Sequence, residues 1–407
     1  MSARCSVVIP SYNRAALVDR LLDALTRQSV PADQFEVIIV LDGSTDGSAA
    51  LLARWEASGR LPHLRWLRQE QQGQAAARTA GSQLASTPVL LFLDDDIIPA
   101  RGLVEAHLRR HASGEALAVF GAARVLRDGS GGLYQTILWA WWEDAYYTRA
   151  LPGRQPGYRD FCAGNVSLRR EDFFRVGGFD PEFRKYGGED YDLGYRLLKA
   201  GVRFVTEPAA EAKHHHLSTP QRILRNVRQE GMNDVYLGRK HPELRRGLRL
   251  MCRTHGAWAV FRHPAQVDLT MRILQWPLRI YEKLLLRAAW RNLFGKLRHH
   301  AYWMGVRDAL RTWEAYQAYC QVAPPVPSLA LDVTRGLPEI LPRIWVEGPV
   351  EIAVTGASHE QGILHVREPI LGPIHTELAE RLLQRMTPQL LAVMAAHEPA
   401  TPRTAQG

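Results

Sequence analysis

The sequence predicts an α/β fold built on a doubly wound mixed sheet flanked by helices, and three observations carry that expectation. Apolar runs rich in β-branched residues recur at Cys5–Pro10, Phe35–Leu41 and Val89–Leu93, as strands buried on both faces require. Stretches with leucine at helical spacing lie between them. Each run closes on polar or acidic residues, so the chemistry gathers at the strands' carboxyl ends, where open α/β sheets bind ligands.

Taken in order, CSVVIP is the first strand. Leu17, Leu21 and Leu25 beside Val18 and Leu22 give an amphipathic helix ending before Pro31, and FEVIIVL is the second strand. Asp42 to Gly47 is a turn rich in capping residues, followed by a helix through Leu51, Leu52 and Trp55 that stops at Gly59. Leu64–Leu67 reads as a strand, Gln74–Ala85 as an alanine-rich helix, and Val89–Leu93 as the strand that ends in Asp94, Asp95 and Asp96. Right-handed crossovers place Pro10–Arg14, Asp42 and Asp94–Asp96 along one sheet edge.

The 407 residues, 46% of them hydrophobic, suffice for a main domain with one or two appendages. No apolar run reaches the length of a membrane span and no signal peptide is expected. Cys5, Cys162, Cys252 and Cys320 form no CxxC pair, which argues against zinc and disulfide frameworks and fits a reducing cytoplasm. The net charge of +9 favours anionic partners. Neither GxGxxG after the first strand nor GxxxxGK[ST] occurs, so dinucleotide and P-loop chemistry lose support.

Three adjacent carboxylates repel one another, and hard oxygen ligands at such an edge suit Mg²⁺ or Mn²⁺, which would also hold phosphate oxygens; a solvated turn of capping acids is the plainer reading. The surrounding segments decide between them. SVVIPSYNR (Ser6–Arg14), VIIVLDGSTDGS (Val37–Ser48), GQAAARTAG (Gly73–Gly81) and FLDDDIIP (Phe92–Pro99) resemble the nucleotide-sugar half of a family 2 inverting glycosyltransferase. FCAGNVSLRREDFFRVGGFDPEF (Phe161–Phe183) and GGEDYDLGYRLLKAG (Gly187–Gly201) resemble its acceptor half, so the likeness runs from about Ser6 to His216.

The resemblance implies a GT-A-like fold and transfer of a sugar from a nucleoside diphosphate to an acceptor hydroxyl. It implies that Pro10, Tyr12, Arg14, Asp42, Arg78, Asp94 and Asp95 line the donor site, with Asp95 the permissive middle acid. Asp96 would bind the cation with Asp94 nearby, and one histidine of His214-His215-His216 after the GGED helix would complete the metal site, His215 and His216 being put forward; a diphosphate contact or a core histidine is the alternative. Asp190 is the expected base, oriented with Glu189. The implied partners are a nucleoside-diphosphate sugar and a glycan or lipid-linked acceptor in bacterial-type envelope or extracellular polysaccharide assembly, with no nucleic acid. A nucleotide-sugar or glycan-binding protein without turnover is the alternative. A sugar-1-phosphate nucleotidyltransferase fits less well, because SYNR is not a glycine-rich phosphate loop.

Residues 1–217 are expected to form the catalytic domain, divided at residue 99 into nucleotide-sugar and acceptor halves. Trp139, Trp141, Trp142, Tyr146 and Tyr147 crowd one stretch, as either a sugar platform or a helix packed on the sheet. Residues 218–321 read as a helical basic region. Between Arg272 and Arg311 basic residues far outnumber Glu282 and Asp308, and Arg279, Lys283, Arg287 and Arg291 recur every four residues on a helix expected to break at Pro277. Such a helix suits the inner face of an anionic membrane, or simply a solvated face. VAPPVPS (residues 322–328) reads as a linker and 329–397 as a small α+β appendage with strands at 344–346, 350–354 and 363–366 and a helix near 378–386; residues 398–407 are expected to be disordered.

Overall fold

The computed structural model describes residues 4–127, 132–149, 156–183, 187–251, 255–321, 328–332, 350–356 and 359–366. The first half runs β1 (Cys5–Ser11), α1 (Ala15–Leu25), β2 (Phe35–Asp42), α2 (Ser48–Ser58), β3 (Leu64–Gln69), α3 (Gln74–Leu84), β4 (Val89–Leu93), β5 (Ile97–Pro99) and α4 (Leu103–His111). It continues through β6 (Leu117–Val125), α5 (Leu133–Arg149), β7 (Asn165–Arg169), α6 (Arg170–Arg175), α7 (Glu189–Lys199) and β8 (Arg203–His214). These strands form one sheet in the order β3-β2-β1-β4-β7-β6-β8-β5. The β3-β2-β1-β4 half is parallel; β7 is antiparallel to both β4 and β6, so the sheet is mixed as expected.

The alternation of a strand sorts the core into two layers. Cys5, Val7 and Ile9 face α1, α2 and α4, packing with Leu21, Leu52, Trp55 and Val104. Val8, Ile38, Leu90 and Phe92 face the other way and pack with Ala75 of α3, Phe173 of α6 and Leu193 and Leu197 of α7. Phe92 sits at the centre of that second layer, 5.5 Å from the rings of both Phe173 and Phe179.

β8 contains Pro208, and its pairing with β6 jumps from Gly121↔Glu207 to Ala122↔Glu211, so the proline lies in a bulge. A bulge is a place where a strand tolerates a missing N–H. The pairing then resumes and carries the chain on to His214 at the acid-bearing edge, where it also meets β5.

After β8 come α8 (Pro220–Lys240), α9 (His255–Arg262), α10 (Pro264–Lys283), α11 (Arg287–Leu310) and α12 (Trp313–Gln321). Residues 1–233 and 254–313 compose one compact unit; residues 234–253 and 314–407 compose a second. In the first unit an ion pair of 2.6 Å joins Arg228 of α8 to Asp308 of α11. The expected break at Pro277 does not occur: the proline is inside α10, which ends only at Lys283. The basic positions counted as one helix therefore divide, Arg279 and Lys283 on α10, Arg287 and Arg291 on α11. The second unit contains a three-stranded sheet, β11-β10-β9, from β9 (Ser328–Asp332), β10 (Val350–Gly356) and β11 (His359–Val366). The expected linker through residue 327, the strand at 344–346, the helix near 378–386 and the tail from 398 lie outside the described residues. Among the described residues no helix is long and apolar enough to cross a membrane.

Candidate active site

The edge formed by the carboxyl ends of β1, β2 and β4 and the start of α7 gathers most of the singled-out residues. β1 leads into a tight turn in which Asn13 has a φ of 52°. The Asn13 carboxamide oxygen accepts the Thr45 and Asp46 N–H groups at 2.8 and 3.2 Å, and the Asp46 carboxylate accepts the Ala15 N–H at 3.1 Å. The start of α1, which has no cap of its own, is thus capped from the loop after β2. Tyr12 is 46% exposed at this rim, while Pro10 lies buried in β1.

Asp42 is nearly buried, and its two oxygens accept the Gln69 side-chain amide and the Gln72 and Gly73 backbone N–H groups, all at 2.8 Å. A carboxylate offers about four acceptor sites, so one is left for a ligand's donor. Its main work in this structure is to hold the loop that begins α3.

The acid triplet is divided among different partners. Asp95, expected to be the permissive member, is instead buried: its oxygens accept Ser11 Oγ at 2.8 Å and Arg14 Nη1 at 2.6 Å. Burial pushes its carboxyl up to about 6, with Arg14 pulling the other way. The same Arg14 nitrogen reaches Asp96 at 2.9 Å, so one guanidinium clamps two of the acids to the end of β1.

Asp94 turns toward Arg78, which donates to it at 2.7 Å. Arg78 is 1% exposed, and its guanidinium lies over the Phe179 ring at 5.6 Å. Its Nη1 is 3.8 Å from Glu189 and 4.0 Å from Asp190. Burial works against the Arg78 charge, but Asp94, Asp190 and Glu189 together raise its pKa. Asp190 also accepts the Ala163 N–H at 3.2 Å. Burial, then the Asp190 charge, push Glu189 up to about 8, with Arg78 opposing.

Two glycines permit this approach. A Cβ on Gly164 would lie 2.9 Å from an Asp94 oxygen. Gly188, immediately before α7, has a φ of 96°, and a Cβ there would strike Phe183 and Asn233 at 2.8 and 2.9 Å.

Asp96, His214 and His216 form a cluster of potential metal ligands whose atoms lie within 4.8 Å of one another. His214 Nε2 is 3.2 Å from Asp96 Oδ1. The residues paired in the sequence reading, His215 and His216, divide here: His215 donates its backbone N–H to the Asp96 carbonyl at 2.8 Å, and it and Asp94 stand outside the cluster. Alternation along extended chain is the reason, since residues two apart share a face. This signal was available in the sequence. Burial opposes the Asp96 charge, yet His214, Arg14 and His216 hold its carboxyl well below the ordinary range. Burial and the His214 charge bring His216 down to about 3, against the pull of Asp96.

Behind the histidines stands α5. The Gln135 amide and Trp139 indole donate to the His216 carbonyl at 2.7 and 3.3 Å, and the Trp142 ring lies 5.7 and 5.1 Å from the His214 and His216 rings. Trp141 stacks on Phe294 of α11 at 6.0 Å. These tryptophans pack within the protein; the Tyr146 and Tyr147 side chains lie outside the described residues.

A mixed sheet with an acid-rich edge and helices on both faces defines a GT-A-like α/β protein. Residues 6–177 match the family described as glycosyl transferase family 2. Residues 146–219 also match a model described as the N-terminal domain of galactosyltransferase. The validoxylamine A glucosyltransferase of Streptomyces hygroscopicus subsp. jinggangensis is 34% identical over 269 residues, covering 59% of this chain and 61% of the relative. The chondroitin synthase of Escherichia coli is 28% identical over 239 residues, covering 51% of this chain and 34% of that protein. The chain thus spans less than two thirds of these relatives' lengths. The fold is similar to that of a mannosyltransferase from Pyrobaculum calidifontis, solved with GDP-Man and Mn²⁺, at a TM-score of 0.52 and 19% identity over 77% of this chain and 88% of that one.

Proposed function

We propose that the chain is an inverting, cation-dependent glycosyltransferase that passes a sugar from a nucleoside diphosphate to an acceptor hydroxyl. The observation that carries this reading is the meeting of Asp94, Glu189 and Asp190 on the buried Arg78, beside a separate Asp96–His214–His216 cluster. One group of acids is neutralised by protein, the other is arranged for a cation.

The donor set fits a metal. Asp96 Oδ1 and His216 Nε2 are buried without a well-aligned hydrogen bond, and one carboxylate with two imidazoles suits Mn²⁺ better than Mg²⁺. Bound there, a divalent cation would offset the charge growing on the departing diphosphate. Asp190 takes the proton of the acceptor hydroxyl as that oxygen bonds to the sugar's anomeric carbon. The bond from that carbon to the diphosphate oxygen breaks with its electron pair, inverting the configuration. Glu189, protonated below about pH 8, is a hydrogen-bond donor for the acceptor. Tyr12, Pro10 and the remaining acceptor site of Asp42 are at the donor's base and ribose, and Arg14 acts on the donor through Asp95 and Asp96.

The names of the relatives, a validoxylamine A glucosyltransferase and a chondroitin synthase, favour polysaccharide or glycoside assembly. The test is a thermal-shift screen of UDP-, GDP-, dTDP- and CMP-sugars with and without Mn²⁺, followed by NMR of the product's anomeric configuration. A ligand that binds the folded state raises the melting temperature by mass action. Retained configuration would overturn the single-displacement mechanism, and donor binding without turnover by any acceptor would favour the binding-protein reading.

A further inference from the structure

α10 carries an exposed apolar stripe. Leu269, Ile273, Trp276, Ile280 and Leu284 follow one another at intervals of three or four residues and so share one side of the helix. All are exposed, Trp276 at 72%. The buried residues of this helix, Met271 and Leu278, are half a turn away, so the stripe faces outward rather than into the protein.

The corner after α10 extends the stripe. Leu284, Leu285 and Leu286 are all exposed, Leu285 at 68%. The Leu286 N–H donates to the Tyr281 carbonyl at 2.9 Å, the bond of a helix end whose reversing position is ordinarily glycine. Leu285 occupies that position with a φ of 53°, a region that disfavours a branched side chain. The chain therefore holds a leucine outward in a conformation that glycine would adopt without strain.

Charge selects the occupant. Arg272, Arg279, Lys283, Arg287 and Arg291 are exposed beside the stripe and corner. The acids of α10 are engaged elsewhere: Asp268 faces Arg307 at 3.6 Å, and Glu282 reaches toward Gly132 ahead of α5. Leucine, isoleucine and tryptophan rimmed by cations match the boundary between acyl chains and anionic headgroups.

We infer that α10 and its Leu284–Leu286 corner form a docking surface for an anionic lipid leaflet, with Trp276 at the headgroup level and Leu285 inserted below it. The surface belongs to the same compact unit as the candidate active site. α11, which begins at this corner, packs Trp290 and Phe294 on Tyr134 of α5, and α5 backs the histidine cluster.

The test is flotation of the full chain with vesicles of phosphatidylglycerol and phosphatidylcholine, against phosphatidylcholine alone. Binding needs no donor or turnover, so its failure is separate from failure of the transferase reading. The wild type is expected to float at least about tenfold more with anionic vesicles, and raised salt weakens this. Trp276→Glu loses the binding while keeping activity toward a soluble acceptor. Leu285→Gly melts at a higher temperature than the wild type yet binds vesicles less, an opposition that a merely structural corner would not produce. Equal flotation with neutral vesicles, or unchanged flotation of both variants, overturns the proposal. So does a wild-type dimer, seen by light scattering, that Trp276→Glu makes monomeric with neither form floating: the stripe would then bind a second copy of this chain.

Discussion

The guanidinium of Arg78 stands 4.0 Å from the Asp190 carboxylate while donating to Asp94 at 2.7 Å, so one buried cation touches both the acid turn after β4 and the first turn of α7. Arg78 is thereby placed between the donor and acceptor sides of the proposed reaction.

Asp190→Asn keeps the shape of the side chain and removes its basicity. Turnover is expected to fall by about 10²–10⁴-fold, with melting temperature and donor-induced thermal shift retained. Turnover at the wild-type rate would assign the base to another residue.

Arg78→Met leaves Asp94, Glu189 and Asp190 facing one another without their buried partner. Breaking such an arrangement costs about 3–5 kcal/mol, read as a lower urea midpoint with an unchanged slope. A variant as stable as the wild type would show that the acids have another source of compensation.

Glu189 gives a pH signature with a definite sign. Its carboxyl is raised from 4.5 in the unfolded chain to about 8 in the fold, so the folded state holds the proton more tightly. The stabilisation is fully present below about pH 4.5 and is lost as pH rises through about 8. Glu189→Gln is therefore expected to gain stability relative to the wild type between pH 5 and 9, measured by urea unfolding at a series of pH values. A stability difference that does not change with pH would place the titration elsewhere.

The cation cluster separates neighbouring histidines. His214→Ala and His216→Ala should each weaken Mn²⁺ binding, measured by calorimetry, by more than the ~10–100-fold that losing an outer partner of a metal site costs. His215→Ala should change it little. Chelation should abolish turnover, and Mn²⁺ should restore it. Loss confined to His215→Ala would reverse the assignment.

Much of this arrangement was legible because it rests on local pattern. The β-branched runs at Val7–Ile9 and Val37–Val40 are strands, and the leucines after Arg14 form the helix they predict. The GGED and GQAAARTAG segments meet where Arg78 Nη1 lies 3.8 Å from Glu189, a contact that their separate patterns did not foretell. What pattern could not supply was partner choice. Nothing local distinguishes Asp95 from Asp96, and only the return of Arg14 and Ser11 beside β4 shows the middle acid to be buried. Pro277 reads as a stop, yet tertiary context accommodates it inside a helix, as the bulge in β8 accommodates Pro208. The reversal at Leu285 was hidden because the position lacks the glycine that usually marks it.

The clamp of Arg14 on Asp95 and Asp96 bears on the order of events in a catalytic cycle. With Glu189 protonated, Asp94, Asp95, Asp96 and Asp190 still outnumber the two guanidiniums among them, so a bare nucleoside diphosphate approaching this edge meets an excess of like charge. Occupancy by cation should therefore precede donor or accompany it, and the spent nucleotide should depart before or together with the ion. Initial rates with cation and donor varied together would display this as compulsory sequence, whereas random addition would mean that the protein's own charges already balance.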